Sequence, residues 1–256
     1  MKNLRFYQCL AALCCLCAFL SMTASVVYSC VLSRDTMYSG FLLYSRTEHL
    51  GVGAERYGEY AQGITEYLAG HGDLVLVPGE DGVSRPAFGE KENLHMEDVR
   101  QLIRLLSAVR LGTGALFLGL AAFLYLKARK AGPSLLRGAA LGAGLWLLLG
   151  AGLTAAALSG FDSFFIGFHR LFFDNNLWLL NPATDLLIRV CPQSMFAHMG
   201  ARVGVISLAG IIAVSAAATA LTFIWPKRKE DDTWNNRDMR RASAQKRITF
   251  GKTGMR

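Results

Sequence analysis

The apolar and polar positions divide the chain into long greasy runs separated by mixed segments. Residues 9–32, 138–161 and 203–225 each carry no charged side chain. About 20 apolar residues, at a rise of 1.5 Å each, cross a bilayer core, so each run predicts a transmembrane helix. A fourth run, 111–126, is shorter. Leu105, Leu106, Ser107, Ala108 and Val109 extend it backwards, and Arg110 is expected to snorkel to the interface, which predicts a span over 107–126. The first run follows Lys2 and Arg5 but exceeds the apolar core of a signal peptide, so residues 1–32 are expected to stay as an uncleaved anchor.

Shorter periods fill the gaps. Within 54–68, Tyr57, Tyr60, Ile64, Tyr67 and Leu68 share one helical face, and Gly70 supplies a stop. Leu74-Val75-Leu76-Val77 reads as a strand closed by Pro78-Gly79, with a turn at 79–82 that predicts a hairpin. From Glu97 the pattern is helical again. Glu97 and Asp98 lie in its first turn, and its stripe of Val99, Leu102, Ile103 and Leu106 leads into the second span. Residues 33–106 therefore predict a small α+β head.

The segment 162–202 holds five Phe between 164 and 173, followed by Trp178. Arg170, Asp174, Asp185 and Arg189 interrupt it too often for a span, yet it is too aromatic for water. It predicts an amphipathic stretch in the membrane interface, split in two by Pro182. Residues 127–137 form a basic loop and 226–256 a basic, mostly disordered tail. The expected fold class is a polytopic α-helical membrane protein, a four-helix transmembrane bundle carrying a small extracytoplasmic α+β head domain.

Composition agrees. Of 256 residues, 52% are apolar and 18% charged, where a soluble domain has about a quarter charged. With 11% aromatic residues a disordered chain is excluded as well. Charge sets the orientation. The two termini and the 127–137 loop together carry a net +12, against −4 for the segments 33–110 and 162–202. The positive-inside rule then predicts both termini in the cytoplasm. The excess of Lys and Arg follows from topology and anionic lipid, so no nucleic-acid partner is expected.

Cys9, Cys14, Cys15 and Cys17 lie in the first span without metal-ligand spacing and are expected to pack. Cys30 and Cys191 both fall near the outer surface, and the sequence leaves their pairing open. Gly138-x-x-x-Gly142 suggests close helix packing.

All five histidines (49, 71, 95, 169 and 198) fall in the outer segments. Histidine is the side chain best suited to proton transfer near neutral pH. His95 sits where the helix leading into the second span is expected to begin, so a surface or N-cap role competes with a proton-transfer role. Glu92-x-x-His95 matches half of a di-iron pattern, but the other half is missing and no metal site is expected. His169, flanked by Phe, is placed to meet a lipid ester at headgroup depth. Asp174 or Asp185 could hold its ring as the carboxylate of a hydrolase triad does. Arg170 and the amides of Asn175 and Asn176 could contact a headgroup or a developing oxyanion, and Glu92 joins these candidates. A G-x-S-x-G elbow, an H-E-x-x-H helix and a Walker loop are all missing, and Gly51-Val52-Gly53 reads as a turn. The nearly charge-free spans argue against a proton-coupled transporter. These residues alone leave open an enzyme acting on lipid esters by acyl transfer or hydrolysis, or a non-catalytic scaffold or sensor.

Two motifs carry a resemblance. Glu92-x-x-His95-Met-Glu-Asp98-Val and Phe168-His169-x-Leu-Phe-Phe173-x-Asn175-x-Leu-Trp178-Leu-Leu-x-Pro182-x-Thr184-Asp185-x-Leu-Ile188 resemble the lipoprotein intramolecular transacylases of Firmicutes. The likeness extends over roughly residues 1–225 and includes the four-span plan. It departs at Asn181, where Asp is expected before the proline, and in the long basic tail. The resemblance implies catalytic histidines at His95 and His169 and no cofactor. It implies a diacylglyceryl-modified lipoprotein as substrate, held in membrane lipid. The implied reaction moves the sn-2 acyl chain to the α-amine of the lipoprotein's N-terminal Cys. His169 is expected to act as base, with His95 assisting the oxyanion or leaving group, or the reverse.

Overall fold

The computed structural model describes residues 2–45, 53–72, 75–78, 81–127 and 131–224. The basic tail 226–256, His49, Gly51 and Val52, Leu74, and the Gly79-Glu80 half of the hairpin turn lie outside the described residues. The elements run α1 (Lys2–Val31), α2 (Arg34–Tyr44), a 3-10 turn (Ala54–Arg56), α3 (Tyr57–Leu68), β1 (Leu76–Pro78) and β2 (Ser84–Pro86). They continue with α4 (Glu90–Lys127), α5 (Gly132–Ser159), α6 (Phe161–Phe172), α7 (Leu187–Val190) and α8 (Gln193–Ile224).

Among the described residues four helices are long and apolar enough to cross a membrane: most of α1, all of α4 and α5, and residues 193–216 of α8. Their outward faces carry bare leucines and valines, such as Leu111, Leu148, Leu158 and Val205. Such a surface suits lipid and not water. Close approach of backbones holds α1 to α5. A Cβ on Gly142 would stand 2.6 Å from the Ala12 carbonyl oxygen, and one on Gly138 would collide with the Gln8 carbonyl. Only a residue without a side chain fits there. The Ser21 hydroxyl donates to the Arg110 carbonyl at 2.8 Å, joining α1 to α4.

At one end of these helices lies a second apolar cluster. Met37 and Phe41 of α2, the buried face of α3, Val75 and Val77 surround Met96 and Ile103 of α4, Leu187 and Val190 of α7, and Met195 and Met199 of α8. The predicted face of α3 is the buried one. Gly70, at φ 96°, ends it in a left-handed cap, with His71 N–H bonded to the Glu66 carbonyl and Gly70 N–H to that of Tyr67. The hairpin forms as expected but is short, pairing Leu76 with Pro86 and Pro78 with Ser84. Asp81 organises its turn, accepting from Val83 N–H and from the Arg85 guanidinium. The Ser45 hydroxyl donates to the Val190 carbonyl at 2.6 Å and ties the end of α2 to the end of α7.

Three expectations need correction. The helix entering the second span begins at Glu90, not Glu97. Gly89 is its N-cap, and the Glu92 carboxylate reaches back to accept from Gly89 N–H at 2.7 Å, half of a capping box that the polar stretch 90–93 concealed. At 38 residues, α4 is about 57 Å long, so its charged first turns stand clear of a core about 30 Å thick. The fourth long helix begins at Gln193, ten residues before the apolar run, because Met195 and Met199 anchor its first turns in that same cluster. The segment 162–202 is not split at Pro182. α6 ends at Phe172, and Pro182 falls within an irregular link whose turn is closed by Asn181 and Asp185. Arg110 stacks its guanidinium 3.7 Å above the Tyr28 ring. Cys30 is buried and Cys191 half-buried, each a free thiol.

Candidate active site

His95 and His169 come together. His95 lies in the second turn of α4 and His169 near the end of α6. Their ring centroids are 6.0 Å apart, and both residues are buried, at 7% exposure each. Phe173 closes one side of the pair, 5.3 Å from His95 and 5.6 Å from His169. Around His169 stand Phe165 at 4.3 Å, Trp178 at 5.0 Å and Phe168 at 5.5 Å. The Phe-rich sequence thus serves as a wall for an imidazole.

The two rings are held differently. His169 Nδ1 lies 2.8 Å from the Phe165 carbonyl, one turn back on α6. A carbonyl only accepts, so Nδ1 carries the proton and donates, which leaves the Nε2 lone pair free. His95 Nδ1 is buried with no hydrogen-bond partner. An imidazole nitrogen kept from water and left unpaired is costly. Burial and the neighbouring His169 push the His95 pKa down to about 4, against a smaller opposing pull from Asp98. Burial also lowers the pKa of His169, opposed by its bond to the Phe165 carbonyl. At neutral pH the site therefore presents two uncharged imidazoles, able to accept or donate a proton without the strong hydration of a charged group.

The other sequence candidates divide. Glu92 is buried, but its carboxylate faces the backbone: one oxygen accepts from Gly89 N–H, the other from Leu187 N–H at 2.5 Å. It fastens the start of α4 to the start of α7. Asp185 accepts from Asn181 N–H and the Thr184 hydroxyl and closes the 181–185 turn. Asp174 is exposed. The place beside His169 Nδ1 that either Asp was expected to fill is taken by the Phe165 carbonyl, which lies on the same helix at hydrogen-bonding distance. Arg170 and Asn176 are exposed. Asn175 donates through Nδ2 to Asp98 at 2.8 Å and accepts the Trp178 indole N–H on its carbonyl at 2.8 Å. Among the described residues no three His, Cys, Asp or Glu side chains converge as a metal site.

Sequence reasoning passed over Asp98 as a first-turn acid. Its spacing of three from His95 on one helix was the available signal, since residues three apart are neighbours on a helical face. Nothing in the side-chain pattern could have nominated the Phe165 carbonyl.

Comparison with known proteins gives one answer. The family model described as lipoprotein intramolecular transacylase Lit matches residues 11–196. Two solved structures of the membrane integral lipoprotein intramolecular transacylase Lit from Bacillus cereus share the fold. One, at 18% identity, covers 86% of this chain and 96% of its own with a TM-score of 0.66. The other, a His-to-Ala variant at 19% identity, covers 86% and 94% with a TM-score of 0.60. Comparison with the curated proteins finds no match. With the family model spanning well over half of its length, both buried histidines included, the chain belongs to the lipoprotein intramolecular transacylase family.

Proposed function

We propose that this membrane acyltransferase carries out its reaction between His95 and His169. It transfers the sn-2 acyl chain of a diacylglyceryl-Cys lipoprotein to the α-amine of the same Cys. His169 is the base. Its fixed Nδ1–H leaves Nε2 to take a proton from the amine as the nitrogen attacks the ester carbonyl. His95, uncharged and with an unpaired buried nitrogen, faces the tetrahedral oxyanion or the leaving oxygen. Collapse breaks the sn-2 C–O bond, and the proton taken from the amine passes to the released alkoxide. An ester and an amine become an amide and an alcohol, so the balance requires no cofactor. Donor and acceptor on one molecule remove the entropy cost of a second substrate. The observation that carries this reading is the convergence of two uncharged, buried imidazoles in an aromatic enclosure.

In the same proposal both termini are cytoplasmic, and α2, α3, the hairpin and the first turns of α4 form an extracytoplasmic head. The net +12 and −4 of the two sets of segments support this orientation. The α6–α7 region lies at the lipid surface, as its Phe content favours.

Mass spectrometry of lipoprotein N-termini tests the assignment. The chain is produced in a host that otherwise makes only diacylglyceryl lipoproteins, alongside His95→Ala and His169→Ala. The expected product is N-acyl-Cys bearing a monoacylglyceryl group, lost in both variants. Lyso-glyceryl peptides with a free amine would instead mean hydrolysis. Full activity in either variant would refute that residue's role.

A further inference from the structure

Outside the histidine pair, hydrogen bonds tie the first turns of α4 to the chain that follows α6: Lys91 Nζ donates to the Leu179 carbonyl, Leu187 N–H to Glu92, and Asn175 Nδ2 to Asp98, this last bond joining residues next to the two imidazoles. Asp98 follows His95 by three residues on α4 and so stands beside it on that helix. Its Oδ2 accepts from Asn175 Nδ2 at 2.8 Å. Asn175 belongs to the link that follows α6, and it engages every polar side-chain atom and its carbonyl. Oδ1 accepts from Leu177 N–H at 3.0 Å, and the backbone oxygen accepts from Trp178 Nε1 at 2.8 Å. Trp178 in turn lies 5.0 Å from His169. A continuous path therefore runs from the helix of His95 through Asp98 and Asn175 to the indole against His169. Solvent reaches the Asp98–Asn175 bond, so its worth to stability is small.

We propose that Asp98 and Asn175 are positioning residues for the transacylation, a clasp that holds the α6–α7 link on α4 and thereby sets the distance between His95 and His169. The assignment rests on the catalytic reading of the two histidines. Acyl transfer through a paired base and oxyanion donor is steep in geometry, and a displacement of about 1 Å costs on the order of a hundredfold in rate.

The test compares Asp98→Ala, Asn175→Ala, their double, and the exchange Asp98→Asn/Asn175→Asp, each measured per mole of folded protein in detergent with a diacylglyceryl lipopeptide. The exchange preserves a carboxylate–amide bond with donor and acceptor reversed. The expected result for each single variant is a fall in kcat on the order of a hundredfold with KM little changed. The double is expected to be no worse than the singles, and the exchange to recover most of the rate. Wild-type kcat in the single variants would overturn the proposal, as would an exchange variant as impaired as the singles. His95→Ala in parallel separates the two levels. If it is inactive while the clasp variants are normal, only the clasp fails. If it is active, the catalytic reading fails and the clasp with it.

Discussion

The contact of α1 with α5 and the meeting of α4 with α6 both join helix to helix, but from opposite materials. Between α1 and α5 the backbones approach at Gly138 and Gly142, where even a methyl group has no room. Between α4 and α6 stand two imidazoles, and nearby a buried carboxylate and a set of aromatic rings. The first contact depends on shape. Lipid is as apolar as the helices, so association there comes from close packing. The second depends on polar groups and the partners they find, such as His169 Nδ1 and the Phe165 carbonyl. One region should therefore respond to added volume and the other to altered chemistry.

The largest expected effect falls on chemistry. His169→Ala, assayed on a diacylglyceryl lipopeptide, is expected to lower kcat by about 10²–10⁴ while the protein stays folded, the usual worth of a general base. Next comes pH. The His95 pKa of about 4 and the lowered His169 pKa favour uncharged rings at neutral pH. The rate should therefore follow the substrate amine, rising about tenfold per unit up to its pKa near 8. An inflection near 6.5 would show an imidazole titrating as it does in water. Stability follows the same linkage with a definite sign. The unfolded chain takes up a proton on His95 near pH 6.5 that the folded chain refuses until about 4. Thermal stability should therefore fall as pH drops through that window, and less so in His95→Phe.

Effects on stability sharpen the comparison further. Glu92→Ala leaves two backbone N–H groups, those of Gly89 and Leu187, without their acceptor, and should cost about 3 kcal/mol by thermal unfolding in detergent. Gly142→Ala pushes a methyl group against the Ala12 carbonyl. It should cost about 1–3 kcal/mol while leaving kcat per folded molecule intact, because nothing at the histidine pair touches that contact. An equal loss of kcat would mean that the two regions are coupled. The smallest effect belongs to the exposed Arg85–Asp81 pair, where Arg85→Ala should shift stability by less than about 1 kcal/mol.

The sequence by itself determined whatever depends on neighbours along the chain. Four apolar runs, the buried face of α3 with its Gly70 stop, the hairpin and the glycine spacing on α5 all show in local periodicity, because a helix or strand repeats its environment every few residues. The motifs around His95 and His169 singled out both residues. The sequence did not show where α4 and α8 begin. Their first turns are held in part by the bond of Glu92 to Leu187 and by Met195, whose partners lie far away in the chain, and their polar or mixed composition imitates a loop. Nor did it show which group orients which ring. Asp174 and Asp185 were the natural carboxylates by proximity in sequence, yet a backbone carbonyl holds His169, and Asp98 stands beside His95. Nor did the sequence show that the carboxylate of Glu92, a site candidate by its motif, accepts from the N–H of Leu187, 95 residues away. Tertiary structure alone decided these matters, because a hydrogen bond depends on distance in space, and the spacing of residues along a chain fixes that distance only within one helix or one turn.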